Sequence, residues 1–135
     1  MEEKGQNIQT YNFRIMKQNG LFFLDMLSIA LENSMICYIQ APDIEETSLA
    51  LSRTDDPALR RIEVDATNMD MIEKEVRFNN IQDFITYIVI KDNTSIIFEG
   101  YDGFNYGIFS KYFCIPEWFR KKYEHLDIYG ISSEW

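Results

Sequence analysis

The chain has 135 residues, 46% of them hydrophobic and 15% aromatic, with only six Gly and three Pro. That length fits one domain, and the composition excludes a collagen-like, low-complexity or disordered chain. Twenty-two acids against 13 Lys+Arg give a net charge of −9, a field that repels nucleic acid and anionic membrane and speeds encounter with cationic partners.

Residues 1–9 read as loose and polar, and YNFRIM (11–16) as a short strand. Leu21, Leu24, Leu27, Ala30 and Leu31 recur at helical spacing, which predicts a helix over about 20–33. Phe22, Phe23, Met26 and Ile29 widen its apolar arc, as in a helix buried on more than one side. MICYIQ (35–40) reads as a strand that stops before Pro42.

Between Asp43 and Glu75 ten acids face four bases, a net of −6 in about a quarter of the chain. A short helix near 43–51, a turn at Asp55-Asp56-Pro57, a strand at RRIEV (60–64) and a helical or strand piece before RFNN are expected there. Asn80 is expected to cap a helical turn, IQDFI. TYIVI (86–90), TSIIFEG (94–100) and FNYGIFSKYF (104–113) follow, joined by the short turns KDN and YDG. The reading is α+β: an antiparallel meander over about 85–113 with additional short strands, packed against the N-terminal helix and a C-terminal helix over about 116–125. That last helix opens at Pro116, with Glu117 in its first turn and Arg120, Lys121 and Lys122 near its end, as the helix dipole favours. LDIYGISSEW closes the chain as an extended tail.

Cys37 and Cys114 sit in apolar stretches and read as reduced, buried small hydrophobes. MEEKGQN is acidic where a signal peptide is basic, and Asp25 and Glu32 interrupt the longest apolar region, residues 21–39. A cytoplasmic protein is expected.

IIFEGYDGFNYGIFSK (96–111) concentrates the candidate chemistry. A phosphate cradle needs clustered glycines before a helix N-terminus, whereas Gly100 and Gly103 flank a turn between two strand-patterned runs. Glu99 and Asp102 are the residue types of a two-carboxylate glycoside site. With 22 acids in the chain such a pair is weak grounds for catalysis. Aromatics beside turn glycines usually cover backbone and extend a core, which is the stronger reading; Tyr101 and Tyr106 with Asp102 also suit a protein-binding surface. His125 is the only histidine and would have to carry any Ser-His-Asp or Cys-His chemistry, though a dipole-stabilised cap explains it more simply. Asp65, Asn68 and Asp70 loosely suggest oxygen ligands without the EF-hand spacing. The trio 120–122 reads as a solvated helix face. No metal and no cofactor is expected.

Three features together resemble the small acidic immunity proteins of bacterial toxin systems, of the contact-dependent growth inhibition and polymorphic toxin type. They are the chain length, the acidic segment APDIEETSLALSRTDDPALRRIEVDATNMDMIEKE and the aromatic-acidic FEGYDGFNYGIF, with IPEWFRKKY…YGISSEW compatible. The resemblance implies a non-enzymatic protein that binds a cognate cationic toxin domain, a nuclease in many such systems, and occludes its active site. The expected partner surface is Asp43, Glu45, Glu46, Asp55, Asp56, Glu99, Tyr101, Asp102 and Tyr106. The expected partner is a toxin protein with a basic surface, with no nucleic acid or membrane bound and the chain a monomer or weak homodimer. The alternative is a small-ligand-binding or regulatory domain with an apolar pocket between sheet and N-terminal helix.

Overall fold

In a computed structural model the described residues are 16–111 and 113–123. The expectations for residues 1–9, for most of the 11–16 strand, for His125 and for the tail lie outside them. Helix α1 spans Gln18–Glu32, α2 Ala66–Asn79 and α3 Glu117–Tyr123, with a 3-10 turn at Ile81–Phe84. The strands are β1 (Ile36–Gln40), β2 (Leu51–Arg53), β3 (Arg60–Ile62), β4 (Tyr87–Lys91), β5 (Ile96–Tyr101) and β6 (Tyr106–Phe109). All strand pairs are antiparallel, in the order β2-β3-β1-β4-β5-β6. The expected α+β class and the meander of the last three strands are therefore present.

The register sorts side chains between two faces, because neighbours along a strand point opposite ways. Cys37, Ile90, Phe98 and Phe109 line up across β1, β4, β5 and β6, and Ile39, Ile88, Gly100 and Gly107 form the next row. This face belongs to one buried cluster with α1, α2 and α3, through residues such as Phe22, Met26, Ile72, Val76 and Phe119. Phe22 is its hub, with ring centroids 5.9 Å from Phe98, 5.8 Å from Phe104, 5.3 Å from Phe119 and 5.2 Å from Tyr123. A fully buried ring of this kind contributes roughly 1.5–3 kcal/mol by leaving water. Asp25 ties α3 to α1: its carboxylate accepts from the Tyr123 hydroxyl at 2.5 Å and pairs with Lys122 Nζ at 2.8 Å.

The expected helix near 43–51 is not formed. Residues 43–50 run as tight turns, Ser48 N donating to Glu45 O and Leu51 N to Glu46 O, before β2 begins. Ala50 holds a φ of 52°, which ends any helical run. Leu49, fully buried, pins this loop to the core. The open reading before RFNN resolves as helix. Asp65 caps α2 by accepting from Asn68 N at 2.8 Å, while Asn68 Nδ2 donates to Glu63 O at 2.8 Å. Asp65 and Asn68 are thus helix-capping groups rather than a ligand set. Asn80 ends α2 in the left-handed region (φ 49°), and its side chain makes no cap bond to the 3-10 turn. Both cysteines are free thiols, but only Cys37 is buried; Cys114 is exposed, against expectation.

Candidate functional site

The second sheet face carries no helix among the described residues. Its first row is Gln40, Tyr87, Tyr101 and Tyr106 on β1, β4, β5 and β6; its second is Tyr38, Val89, Glu99 and Ile108 on the same strands. The three neighbouring tyrosines pack as a ladder, with Tyr87 and Tyr101 centroids 5.4 Å apart and Tyr101 and Tyr106 5.9 Å apart. Such cross-strand aromatic pairs favour the register that forms them. Tyr101, Tyr106, Gly107 and Ile108 enclose a shallow pocket of about 300 Å³.

Two carboxylates accompany the ladder. Glu99 accepts a 2.5 Å hydrogen bond from the Tyr87 hydroxyl, and Asp102 accepts one of 3.0 Å from the Tyr106 hydroxyl. Burial, then the bond to Glu99, pushes the Tyr87 hydroxyl well above its ordinary range. Tyr101 is raised by burial and by the charge of Glu99. Tyr106 is raised chiefly by its bond to Asp102. All three stay protonated near neutral pH, and Tyr87 and Tyr106 donate. On the same face the Lys91 ammonium stands 5.7 Å over the Tyr38 ring.

The hairpin is answered by Phe98. Its ring lies over Gly100 and Gly107, a directly paired couple on the core face. A Cβ on Gly107 would come within 2.7 Å of Phe98 Cζ and 2.8 Å of Glu99 O. These glycines make room for a core aromatic and cradle no anion. The turn itself holds Asp102, Gly103 and Phe104 at φ 53°, 65° and 69°. Three such residues in succession need anchoring. Gly103 N donates to Ile85 O at 2.8 Å, and Asn19 Nδ2 donates to Gly103 O at 3.0 Å and to Asp83 Oδ1 at 2.6 Å. Lys17 Nζ also pairs with Asp83, at 2.7 Å. Fully buried Gln82 donates from Nε2 to Asn19 Oδ1 at 3.0 Å. The N-terminus of α1 thereby holds the turn, and with it the outer tyrosines, in place.

The nine residues expected at a partner surface fall on different elements. Glu99, Tyr101, Asp102 and Tyr106 lie at the β5–β6 end of the sheet. Asp43, Glu45 and Glu46 sit on the β1–β2 loop, and Asp55 and Asp56 on the β2–β3 turn, toward the opposite edge. From β3 to β5 is three strand spacings, about 14 Å. Some of these acids are also committed locally. Glu46 pairs with Arg60 at 3.2 Å and Arg53 at 3.6 Å, and the Asp56 carboxylate accepts from Ala58 N at 2.9 Å. The carboxylates of Asp43, Glu45 and Asp55 have no partner among the described residues. Of the basic trio, Lys122 is held by Asp25, and Lys121 stands 3.9 Å from Glu117. Tyr87, Tyr38 and Ile108 belong to the outer face yet were not singled out from sequence. The alternation of Tyr87 and Val89 against Ile88 and Ile90 carries the signal for the first.

No protein family, curated protein or solved structure matches this chain. No described helix is long and apolar enough to cross a membrane.

Proposed function

We propose that this is a non-enzymatic protein-binding protein, an immunity protein that neutralises a cognate cationic toxin domain in the cytoplasm by covering its active site. The observation that carries the reading is the outer sheet face. It sets three laddered tyrosines beside Glu99 and Asp102 on a chain of net charge −9. Tyr offers large contact area at low entropic cost, and carboxylates beside it pair with Lys and Arg. A basic cleft built for phosphate, as in a nuclease, is a fitting counterpart. The acids Asp43, Glu45 and Asp55, on the β1–β2 loop and the β2–β3 turn, steer encounter rather than form the contact. Charge at a rim acts mainly on association rate. The alternative, a ligand pocket between sheet and α1, has less support, since Phe22, Phe98 and Phe104 fill that interval with centroids 5.8–5.9 Å apart.

The test is co-expression with the product of the adjacent gene, followed by size-exclusion and titration at two salt concentrations. A tight 1:1 complex that silences a toxic activity and weakens with salt supports the proposal. An adjacent product that neither binds nor is toxic overturns it.

A further inference from the structure

We infer that Asp102 is a contact residue for a Lys or Arg of the cationic partner, held at a turn position where the fold alone favours glycine; the inference rests on the interface reading of this face. Three successive turn residues have positive φ, Asp102 at 53°, Gly103 at 65° and Phe104 at 69°. In this region an L side chain crowds its own backbone. Packing accounts for two of the three. Gly103 has no Cβ, and one added there would meet Asp83 Cα at 3.3 Å. Phe104 is buried, with ring centroids 5.8 Å from Phe22 and 5.3 Å from Phe23, so its place in the core offsets the strain. Asp102 is exposed and fills no core space.

Its hydrogen bonds do not account for the residue type either. Asp102 N donates to Thr86 O at 3.1 Å, a bond that any residue but proline makes. An aspartate enters the left-handed region most readily when its carboxylate bonds nearby backbone. Asp56, Asp65 and Asp92 use theirs on backbone in this way, accepting from Ala58 N, from Asn68 N, and from Thr94 N and Ser95 N. The Asp102 carboxylate accepts from no described backbone donor. One oxygen takes the Tyr106 hydroxyl at 3.0 Å, and the other has no partner among the described residues. Lys17 lines the same open cleft but pairs with Asp83, at 2.7 Å, so of the two carboxylates there Asp102 is the one left unanswered. Its position is fixed before contact, by the bonds of Gly103 N to Ile85 O at 2.8 Å and Asn19 Nδ2 to Gly103 O at 3.0 Å. A carboxylate ordered in advance favours an incoming cation, because little freedom is lost when the pair forms.

The experiment compares Asp102→Gly and Asp102→Asn with the parent, by melting temperature and by titration with the product of the adjacent gene at two salt concentrations. Asp102→Gly removes the strained Cβ, which offsets the lost exposed bond to Tyr106, and should melt no lower than about 3 °C below the parent. Asp102→Asn suits the same backbone and keeps an acceptor for Tyr106, so the same bound of about 3 °C applies. Both should bind the partner roughly tenfold more weakly at low salt, and the deficit of Asp102→Asn should shrink at high salt. Asp102→Gly melting below that bound overturns the inference, since the side chain then serves the fold. Either variant binding as tightly as the parent overturns it too and leaves the proposed function standing. A parent protein that binds no partner overturns both.

Discussion

Gly107→Ala tests the packing that shapes the hairpin. The new methyl would lie 2.7 Å from Phe98 Cζ, 2.9 Å from Phe98 Cε1 and 2.8 Å from the Glu99 carbonyl oxygen. Each is closer than carbon is tolerated, and the carbonyl belongs to a paired strand that cannot move alone. Overpacking of this kind costs roughly 1–3 kcal/mol, offset by about 0.4–1 kcal/mol from the stiffer unfolded chain. The expected net loss is about 1–2 kcal/mol, or roughly 3–8 °C in melting temperature for a domain of this size. Gly100→Ala meets only side-chain atoms, Ile88 Cγ2 at 2.8 Å and Phe98 at 3.0 and 3.2 Å, and should cost less. Urea unfolding with unchanged m-values measures both losses. The decisive arm is Gly107→Ala with Phe98→Leu, where the smaller side chain vacates the space. The pair should be less destabilising than the sum of its parts by at least about 0.5 kcal/mol. Additive losses, or a Gly107→Ala protein as stable as the parent, would show that Phe98 does not rest on this glycine pair.

Asp25→Ala should strip α3 of its tie to α1. With the bonds from the Tyr123 hydroxyl and Lys122 to Asp25 removed, about 1–2 kcal/mol of stability should be lost, and amide exchange should speed first in α3; exchange unchanged in α3 would refute the tie. Folded protein should react at one thiol with a mild disulfide reagent, since Cys114 is exposed while burial pushes the Cys37 thiol up and hides it. A second equivalent should appear only in denaturant. Tyr87, Tyr101 and Tyr106 hold their protons more tightly folded than unfolded. Their contribution to stability is therefore complete below the unfolded value of about 10 and lost as pH climbs beyond it. Tyrosinate absorbance should lag that of the denatured chain, and Tyr87→Phe should flatten the alkaline loss of stability; no lag would contradict the bonds to Glu99 and Asp102.

What could be read in advance followed from local chemistry. The apolar arc of α1, the strand pattern of the last third and the turns at Asp55-Asp56-Pro57 and Lys91-Asp92-Asn93 are each set by neighbours in sequence. Asp92 shows why: its carboxylate accepts from Thr94 N at 2.8 Å and Ser95 N at 2.7 Å, a turn that needs nothing distant. Residues 43–51 depart from the expected helix because Ile44, Leu49 and Leu51 anchor turns to a core supplied by the rest of the fold. Helix α2 was ambiguous because only Ile72 and Val76 are buried on it. The candidate surface was half legible: Glu99, Tyr101, Asp102 and Tyr106 share one hairpin and stay together.

The division of the acids came from the sheet order, which no local pattern encodes. β1 enters between β3 and β4, so the β2–β3 hairpin is placed beyond it and away from β5. That order also decides what the negative charge does. Glu46 joins Arg53 and Arg60 across the loop and hairpin, and Asp65 and Asp56 satisfy backbone donors. Acids spent this way add little attraction for a partner, because opposite charge or a dipole already answers them nearby. Glu99 and Asp102 differ. Their partners are neutral tyrosine hydroxyls, which orient the carboxylates without cancelling their charge. A cation arriving at this face meets full negative charge, already positioned and flanked by aromatic rings. For that reason the proposed contact is set on the tyrosine ladder, with only two of the chain's 22 acids, rather than on the segment that holds ten.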